Sequence, residues 1–469
     1  MGKKRTLASN HSKTLAAFCI ADLNFYRHIF YMKKHLGDLS FFTKALFVAS
    51  LALIISCQEQ TAVAEEKTNK LSKPSIENDE LKPEWQVCFP SDALIPSDTG
   101  TDIIATREGS TVVTGLFEKR TSDNLGFPKT SLVSNISPTG VVNWITELGP
   151  HVATKKLLIT DKQNIIAVGH TRVKLGKNNA TIHKLSKDGQ ILFTKKLFEE
   201  EYWSKITDVE KLDSSHFLIS GTLKNVESKG AKSEVFLAQM NLNGKKDWVR
   251  KFSEVERPSN VQLLQNQNGE RFLVFNESER IRTRTEKGIK SSNKSSLAVL
   301  KINKAGVVEE IFRLKDNKSK SNLRALYTQS GKIFITYINR DKVAKKTTLS
   351  LIILNDDLSV KYQAGITDKP IQINDIEQSE DGTIYVTGHT NQKGYGKRDI
   401  WLGTFSTNGK LLGEKHLNIE DNNEWANAFY LDEENRKMLF TGQRRKDKSQ
   451  DRSAFQNSGS CLWVIQTTL

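Results

Sequence analysis

The chain has 469 residues, with 69 Lys and Arg against 54 Asp and Glu for a formal charge of +15, and four cysteines. Its longest apolar run is about a dozen residues, short of the roughly twenty that a spanning helix needs, which argues against a membrane-crossing segment. No Gly-x-Ser-x-Gly elbow, phosphate loop or paired cysteine motif is present, so the usual signatures of a serine hydrolase, a nucleotide binder and a cysteine metal site are missing.

In chain order, residues 1–56 read as an extension followed by an export signal. Ala45–Ile55 is an apolar h-region with Lys33, Lys34 and Lys44 upstream. The segment before it is long, and Met32-Lys33-Lys34 is a more usual start than Met1. Ile54-Ile55-Ser56-Cys57 resembles the bacterial lipobox, in which the cysteine is lipidated and becomes the new N-terminus. An ordinary cleaved signal, or an anchor with an unused cysteine, fits the same residues. Gln58, where Asp would favour the inner membrane, implies by this resemblance an outer-membrane address, with the lipid on Cys57 as the membrane contact. Residues 57–81 are polar and nearly free of large apolar groups, which predicts a flexible tether.

From Lys82 to Leu469 a cassette of about fifty residues recurs seven times. Its first half reads TDIIATREGSTVVTG at 101–115 and returns at 155–169, 207–221, 261–275, 323–337, 374–388 and 427–442. Each copy is two β-rich runs around a polar turn, a hairpin of strands a and b. A variable loop follows, then a second hairpin, c–d, as in SLVSNISPTGVVNWITEL at 131–148. Gly140, Gly189, Gly244, Gly306 and Gly409 share its tenth place, which suits a type I turn with a left-handed bulge residue. Seven four-stranded units of this period predict an all-β, seven-bladed propeller.

The seventh c–d hairpin stops at its ninth place, Leu469, and residues 81–89, aligned through Trp85 and Trp144, occupy places ten to eighteen. The N-terminal segment therefore completes the last blade and removes two bare sheet edges. Counted this way, opposed places sum to eighteen, so Cys461 at place one faces Cys88 at place seventeen. With Cys19 in the extension and Cys57 assigned to lipid, an exported chain predicts a Cys88–Cys461 disulfide, the alternative being two free thiols.

In a propeller the b–c loops and d–a connections share one face. The b–c loops, which include 276–295 and 443–460, hold 27 basic against 9 acidic residues; the d–a connections offset this by −7, leaving the face at +11. Such a face concentrates anions. The densest stretches supply Arg280, Arg282, Arg284, Arg444, Arg445 and Lys446 as candidate ligand contacts. Charge on long loops also serves solubility alone. Trp203 and Trp425, placed in d–a connections of the same face, are candidates for stacking on sugars or for packing between blades. Trp85, Trp144 and Trp248 open outer strands, and Trp401 and Trp463 lie on c strands, all as packing residues. His170 and His389 share one repeat place but show no metal-ligand spacing. Asp102, Asp208 and Asp375, with Asn427 aligned to them, begin inner strands; they are candidates for a cation site at the channel mouth or for acceptors of backbone hydrogen bonds.

Gly388-His389-Thr390, Asp399-Ile400-Trp401-Leu402, Asn408-Gly409 and the matching Val235-Phe236-Leu237-Ala238, Asn243-Gly244 and Trp248 resemble the bacterial secreted β-propeller repeat family. Blades four and five lack the Gly after strand b. The resemblance implies a fold and carries over no catalytic residue. The reading is a lipid-anchored envelope propeller serving as a binding or scaffold module, with no cofactor. Its partner would be an anionic polysaccharide, lipopolysaccharide or an acidic protein; nucleic acid fits the charge but not the exported address. The alternative is a glycan-active hydrolase or lyase on the same face.

Overall fold

In the computed structural model, described over residues 82–89, 98–118, 129–174, 177–199, 201–228, 230–285, 288–314, 319–341, 344, 346–369, 371–390, 398–417, 422–446 and 460–469, every regular element is a β-strand. Cys57, the export signal and the tether lie outside these residues. Twenty-eight strands form seven four-stranded antiparallel sheets. Six sheets use consecutive strands a to d. The seventh runs Asn422–Asp432, Lys437–Lys446 and Ser460–Thr468, with Pro83–Phe89 as its outermost strand. Neighbouring inner strands touch around a full circle, Thr99–Ala105 meeting Asn422–Asp432. The chain is a seven-bladed propeller closed by its N-terminal strand.

The pattern of burial explains the stacking. The middle strands are packed on both faces, so Val235, Phe236, Leu237 and Ala238 are consecutive and all buried. Each of seven apolar clusters draws on two adjacent blades: Ile166 and Ile182 of blade two meet Phe217 and Phe236 of blade three. Phe89, Ile103 and Val113 meet Leu439 and Val464 where blade seven meets blade one. Burial between blades, rather than within one, is what holds the ring.

Two glycine places have separate causes. Turn glycines 140, 189, 244, 306 and 409 have φ between 73° and 84°, a region open to Gly without penalty. They are also covered by the blade before: a Cβ on Gly189 would lie 2.7 Å from the Trp144 ring, whose Nε1 donates to Lys187 O at 3.1 Å. Trp85 does the same to blade one, donating to Pro138 O at 3.0 Å. Blade five has Leu358 at this place, left-handed at φ 55° and buried at 4% exposure, so apolar burial offsets the strain there. The glycine after strand b answers to close approach instead. A Cβ on Gly221 would lie 2.0 Å from Lys205 O, at the bulge of the inner strand. Blades four and five carry Phe275 and Tyr337 there. Their bulges span two residues, with Asn260 and Asn322 at φ 52° and 50°.

Several expectations need correcting. The stretch 276–295 is no loop: Arg271–Thr285 and Gly288–Ile302 form one long ribbon, paired from Arg271–Ile302 to Thr285–Gly288. Its Thr and Ile alternate with charged residues, a strand period hidden by polar composition. Strand b of blade seven likewise runs on to Lys446. Trp203 and Trp425 lie within inner strands Tyr202–Lys211 and Asn422–Asp432, not in connections. The disulfide Cys88–Cys461 is present with Cα atoms 5.6 Å apart, but Cys88 pairs with Trp463, so the bridge is diagonal. The strand begins at Ser460, and Trp463 matches Trp401 in facing the Gly after strand b. That moves the alignment by one residue.

Candidate functional site

The inner strands of all seven blades enclose a cavity of about 680 Å³. The key register is the residue after the inner-strand bulge. Pairing across to strand b identifies it as Asp102, Lys156, Asp208, Gln262, Arg324, Asp375 and Ala428. Asn427 is therefore the bulge residue of blade seven, and Ala428, not Asn427, is the equivalent of the aspartates.

This column stitches blades together. Asp102 Oδ2 accepts from Leu157 N at 2.7 Å, Asp208 Oδ2 from Leu263 N at 2.8 Å, and Gln262 Oε1 from Ala325 N at 2.6 Å. Arg324 Nε donates to Asn374 O, and Asp375 Oδ2 accepts from Phe429 N at 3.2 Å. Asn427 Nδ2 closes the circle on Gly100 O at 2.8 Å. Lys156 instead turns back to Asp102 Oδ1 at 3.0 Å, so among the described residues blades two and three are bridged not by this column but by Ser204 Oγ, which accepts from Ala180 N at 2.9 Å, and by Lys211 on Asp161. The second oxygens of Asp208 and Asp375 accept from Val209 N at 3.0 Å and Ile376 N at 3.1 Å.

Electrostatics follow. Burial works against the Lys156 ammonium, but Asp102, Asp375 and Asp208 together outweigh it and hold it well above its usual value. Burial pushes Asp102 up to about 6 against the pull of Lys156, and raises Asp208 in the same way. One step deeper, burial and then Asp208 push Glu210 up to about 8, and burial and then Asp375 raise Glu377 well above the carboxylate range. Among the described residues no group of three or more His, Cys, Asp and Glu converges as metal ligands do, and the cations facing these aspartates are Lys156 and Arg324.

The loop-face mouth has the opposite sign. Lys155 lines the cavity with water access, and Lys205 and Arg172 stand near enough for their charges to act on one another and on His170. Lys205 Nζ lies over the Trp203 ring at 5.0 Å. Burial lowers Lys155, and the charges of Lys205 and Arg324 add to it. Burial, then Lys205, Lys155 and Arg172, push His170 down to about 3, and its buried Nδ1 has no hydrogen-bond partner. On the far side Trp425 carries Arg398 at 4.8 Å and meets the edge of His389 at 6.3 Å. Each tryptophan proposed for stacking thus has a cation over its ring.

The basic stretches fare differently. Arg280, Arg282 and Arg284 sit at alternate positions of the long ribbon, paired with Asn293, Ser291 and Ile289, with Arg284 exposed. Arg444 faces buried Glu424 at 3.8 Å and donates to Gln86 Oε1 at 3.1 Å, so it holds blade seven together. Arg445 and Lys446 end the same strand. Sequence reasoning passed over Lys155, Lys156, Lys205, Arg324, Glu210 and Glu377. Lys156 and Arg324 stood in the same repeat column as Asp102, which was the available signal.

The raised acids give stability a sign against pH. Glu210 and Glu424, both pushed up to about 8 by burial first, bind protons more tightly folded than unfolded. Their contribution is full below an unfolded value of 4.5 and is lost as pH rises through 8. His170, His183 and His389, lowered by burial, act only as pH falls below 6.5. Melting temperature is therefore expected to fall between about pH 6.5 and 9, and Glu210→Gln with Glu424→Gln to flatten the fall. A wild-type profile level over that window would contradict these assignments.

No family model matches this sequence. No curated protein matches it either. Solved structures of similar shape include a protein of unknown function from Dyadobacter fermentans (10% identity, TM-score 0.43, covering 69% of this chain and 98% of that one). Others are the Pan2 WD40 domain of Neurospora crassa (7%, 0.45, 83% and 96%) and the propeller domain of the Trilobed protease from Pyrococcus furiosus (12%, 0.43, 76% and 89%). At this level none carries an argument about this chain, whose architecture rests on its own strand pairing.

Proposed function

We propose that this propeller is a binding module of the bacterial cell envelope, held by a lipid on Cys57 and taking an anionic glycan on its loop face. Its repeats would then belong with the bacterial secreted propeller repeats. The observation that carries the reading is the separation of charge along the channel. The three ring aspartates are used by Lys156 and by backbone N–H groups, while Lys155, Lys205 and Arg172 at the loop-face mouth form no ion pair among the described residues. Aspartates already accepting at both oxygens are poor candidates for general acid or base, which weighs against a hydrolase or lyase. A concave polar cavity suits a sugar better than a protein surface. The test is a screen of the mature protein against acidic and neutral glycans and lipopolysaccharide at low and high salt. Acidic glycans are expected to bind and to weaken as salt rises. Binding to no polyanion, or binding indifferent to salt, would retire the reading.

A further inference from the structure

Blade four sends out an arm. Its middle strands Arg271–Thr285 and Gly288–Ile302 pair in unbroken register to Thr285–Gly288, whereas the inner strand Ser259–Gln265 last pairs at Asn276 and the outer strand Val308–Leu314 at Leu297. From Glu277–Ser296 outward, nine pairs therefore stand as a two-stranded ribbon, about 27 Å long at the rise of an antiparallel strand. As the connection from strand b to strand c, it rises from the loop face. A free two-stranded ribbon is marginal in water, and the root of this one is clamped. The Glu277 carboxylate, 6% exposed, accepts from Arg313 Nε at 2.8 Å and Nη2 at 3.2 Å. Ser278 N donates to Glu256 O at 2.9 Å, and the hydroxyls of Ser278 and Ser295 lie 3.1 Å apart across the ribbon. The outer strand and the connection entering the blade thus hold the arm in place.

Register divides the charge. Opposed residues share a face of the ribbon, and neighbours along a strand alternate. Positions 280, 282 and 284, all arginine, are opposed by Asn293, Ser291 and Ile289, and Arg284 is exposed. On the other face Glu279 is opposed by Lys294, Ile281 by Ser292 and Thr283 by Lys290. One face therefore carries three positive positions and no negative one, in a file about 14 Å long. The other sets its one acid against a lysine.

We infer that this arm holds a linear acidic polysaccharide, laid along the arginine face so that its successive carboxylates meet Arg280, Arg282 and Arg284. The inference rests on the glycan reading above and deepens it, because a file of this length calls for a polymer rather than a single sugar. The planar guanidinium fork takes carboxylate oxygens two at a time. The unpaired N–H and C=O groups along the ribbon edges are open to sugar hydroxyls. A single file matches a single-chain polymer better than a duplex, which carries two rows of phosphates.

The experiment is titration of the protein with polygalacturonate, galacturonic acid and double-stranded DNA at low and high salt. It is run on wild type, Arg282→Ser/Arg284→Ser and Lys290→Ser/Lys294→Ser. The two variants remove equal charge from opposite faces of the arm, so a change in net charge affects both alike. The arginine pair is expected to weaken polygalacturonate binding by about tenfold, the loss of two exposed ion pairs. The lysine pair should leave it within about twofold, since salt screens charges that do not touch the ligand. Both variants should melt as wild type does, because no core residue changes. Equal weakening by both pairs would overturn the arm. Undiminished polygalacturonate binding by the arginine pair would also overturn it, while leaving the loop-face reading standing. Galacturonic acid bound as tightly as the polymer, or DNA bound through the arginines in preference to polygalacturonate, would overturn the occupant. If wild type binds no polyanion, the glycan reading and the arm fall together.

Discussion

Reduction of the Cys88–Cys461 disulfide is expected to lower the melting temperature of the propeller more than any single change at its surface. The two cysteines are 373 residues apart and join the N-terminal strand to the C-terminal one. The chain-entropy relation for so long a loop gives roughly 5–6 kcal/mol, an upper value because strain and residual structure reduce it. The position sharpens the effect. Blade seven is assembled from both chain ends, and opening it exposes two sheet edges and the cluster shared with blade one. Cys88→Ser/Cys461→Ser should reproduce the reduced melt and be insensitive to reductant. Coincident melts with and without reductant would show that the clasp adds nothing to the closed ring.

Asp102→Ala should be the most damaging substitution inside the channel. It removes the acceptor of the buried Leu157 N–H and the ion pair of Lys156, leaving the ammonium to the weaker attraction of Asp375 and Asp208. Because the Lys156 side chain is 35% exposed to the channel, water screens the stranded charge and the cost falls below the about 3–5 kcal/mol of a fully buried pair. Asp375→Ala removes bonds to Phe429 N and Ile376 N without stranding a directly paired lysine, and should cost less. The sign of the coupling is testable. Lys156→Met in the Asp102→Ala background should recover stability, because the stranded charge goes with it. A double variant no more stable than Asp102→Ala would show that Lys156 does not depend on this carboxylate.

The fold was legible because its determinants repeat. The turn glycines, the alternating strands and the incomplete seventh hairpin are local and periodic, so the blade count and the closure could be read from the residues alone. Register was less legible. Whether Cys88 faces Cys461 or Trp463 turns on one residue, and the strand of blade seven begins at Ser460, before the place assigned to it. Leu358 shows the limit of turn chemistry as a guide, since a buried apolar residue took the left-handed place that glycine holds in five other blades. The ribbon at Arg271–Ile302 was misread because polar strands look like loops when composition is weighed above period. The site was the least legible. Lys155, Arg172 and Lys205 come from three strands of two neighbouring blades, and no spacing along the chain announces that they act on one another. Asp102 was singled out for its acid, whereas its meaning lay in Lys156, one column-mate in the next blade.

The most direct measurement is a crystal structure of the protein soaked with the acidic sugar that binds best in solution. The account predicts the sugar at the channel mouth, its anionic group within hydrogen-bonding distance of Lys155 and Lys205, with the Asp102–Lys156 pair undisturbed beneath it. A sugar bound deeper, with Glu210 or Glu377 reaching a glycosidic oxygen, would contradict it and favour an enzyme.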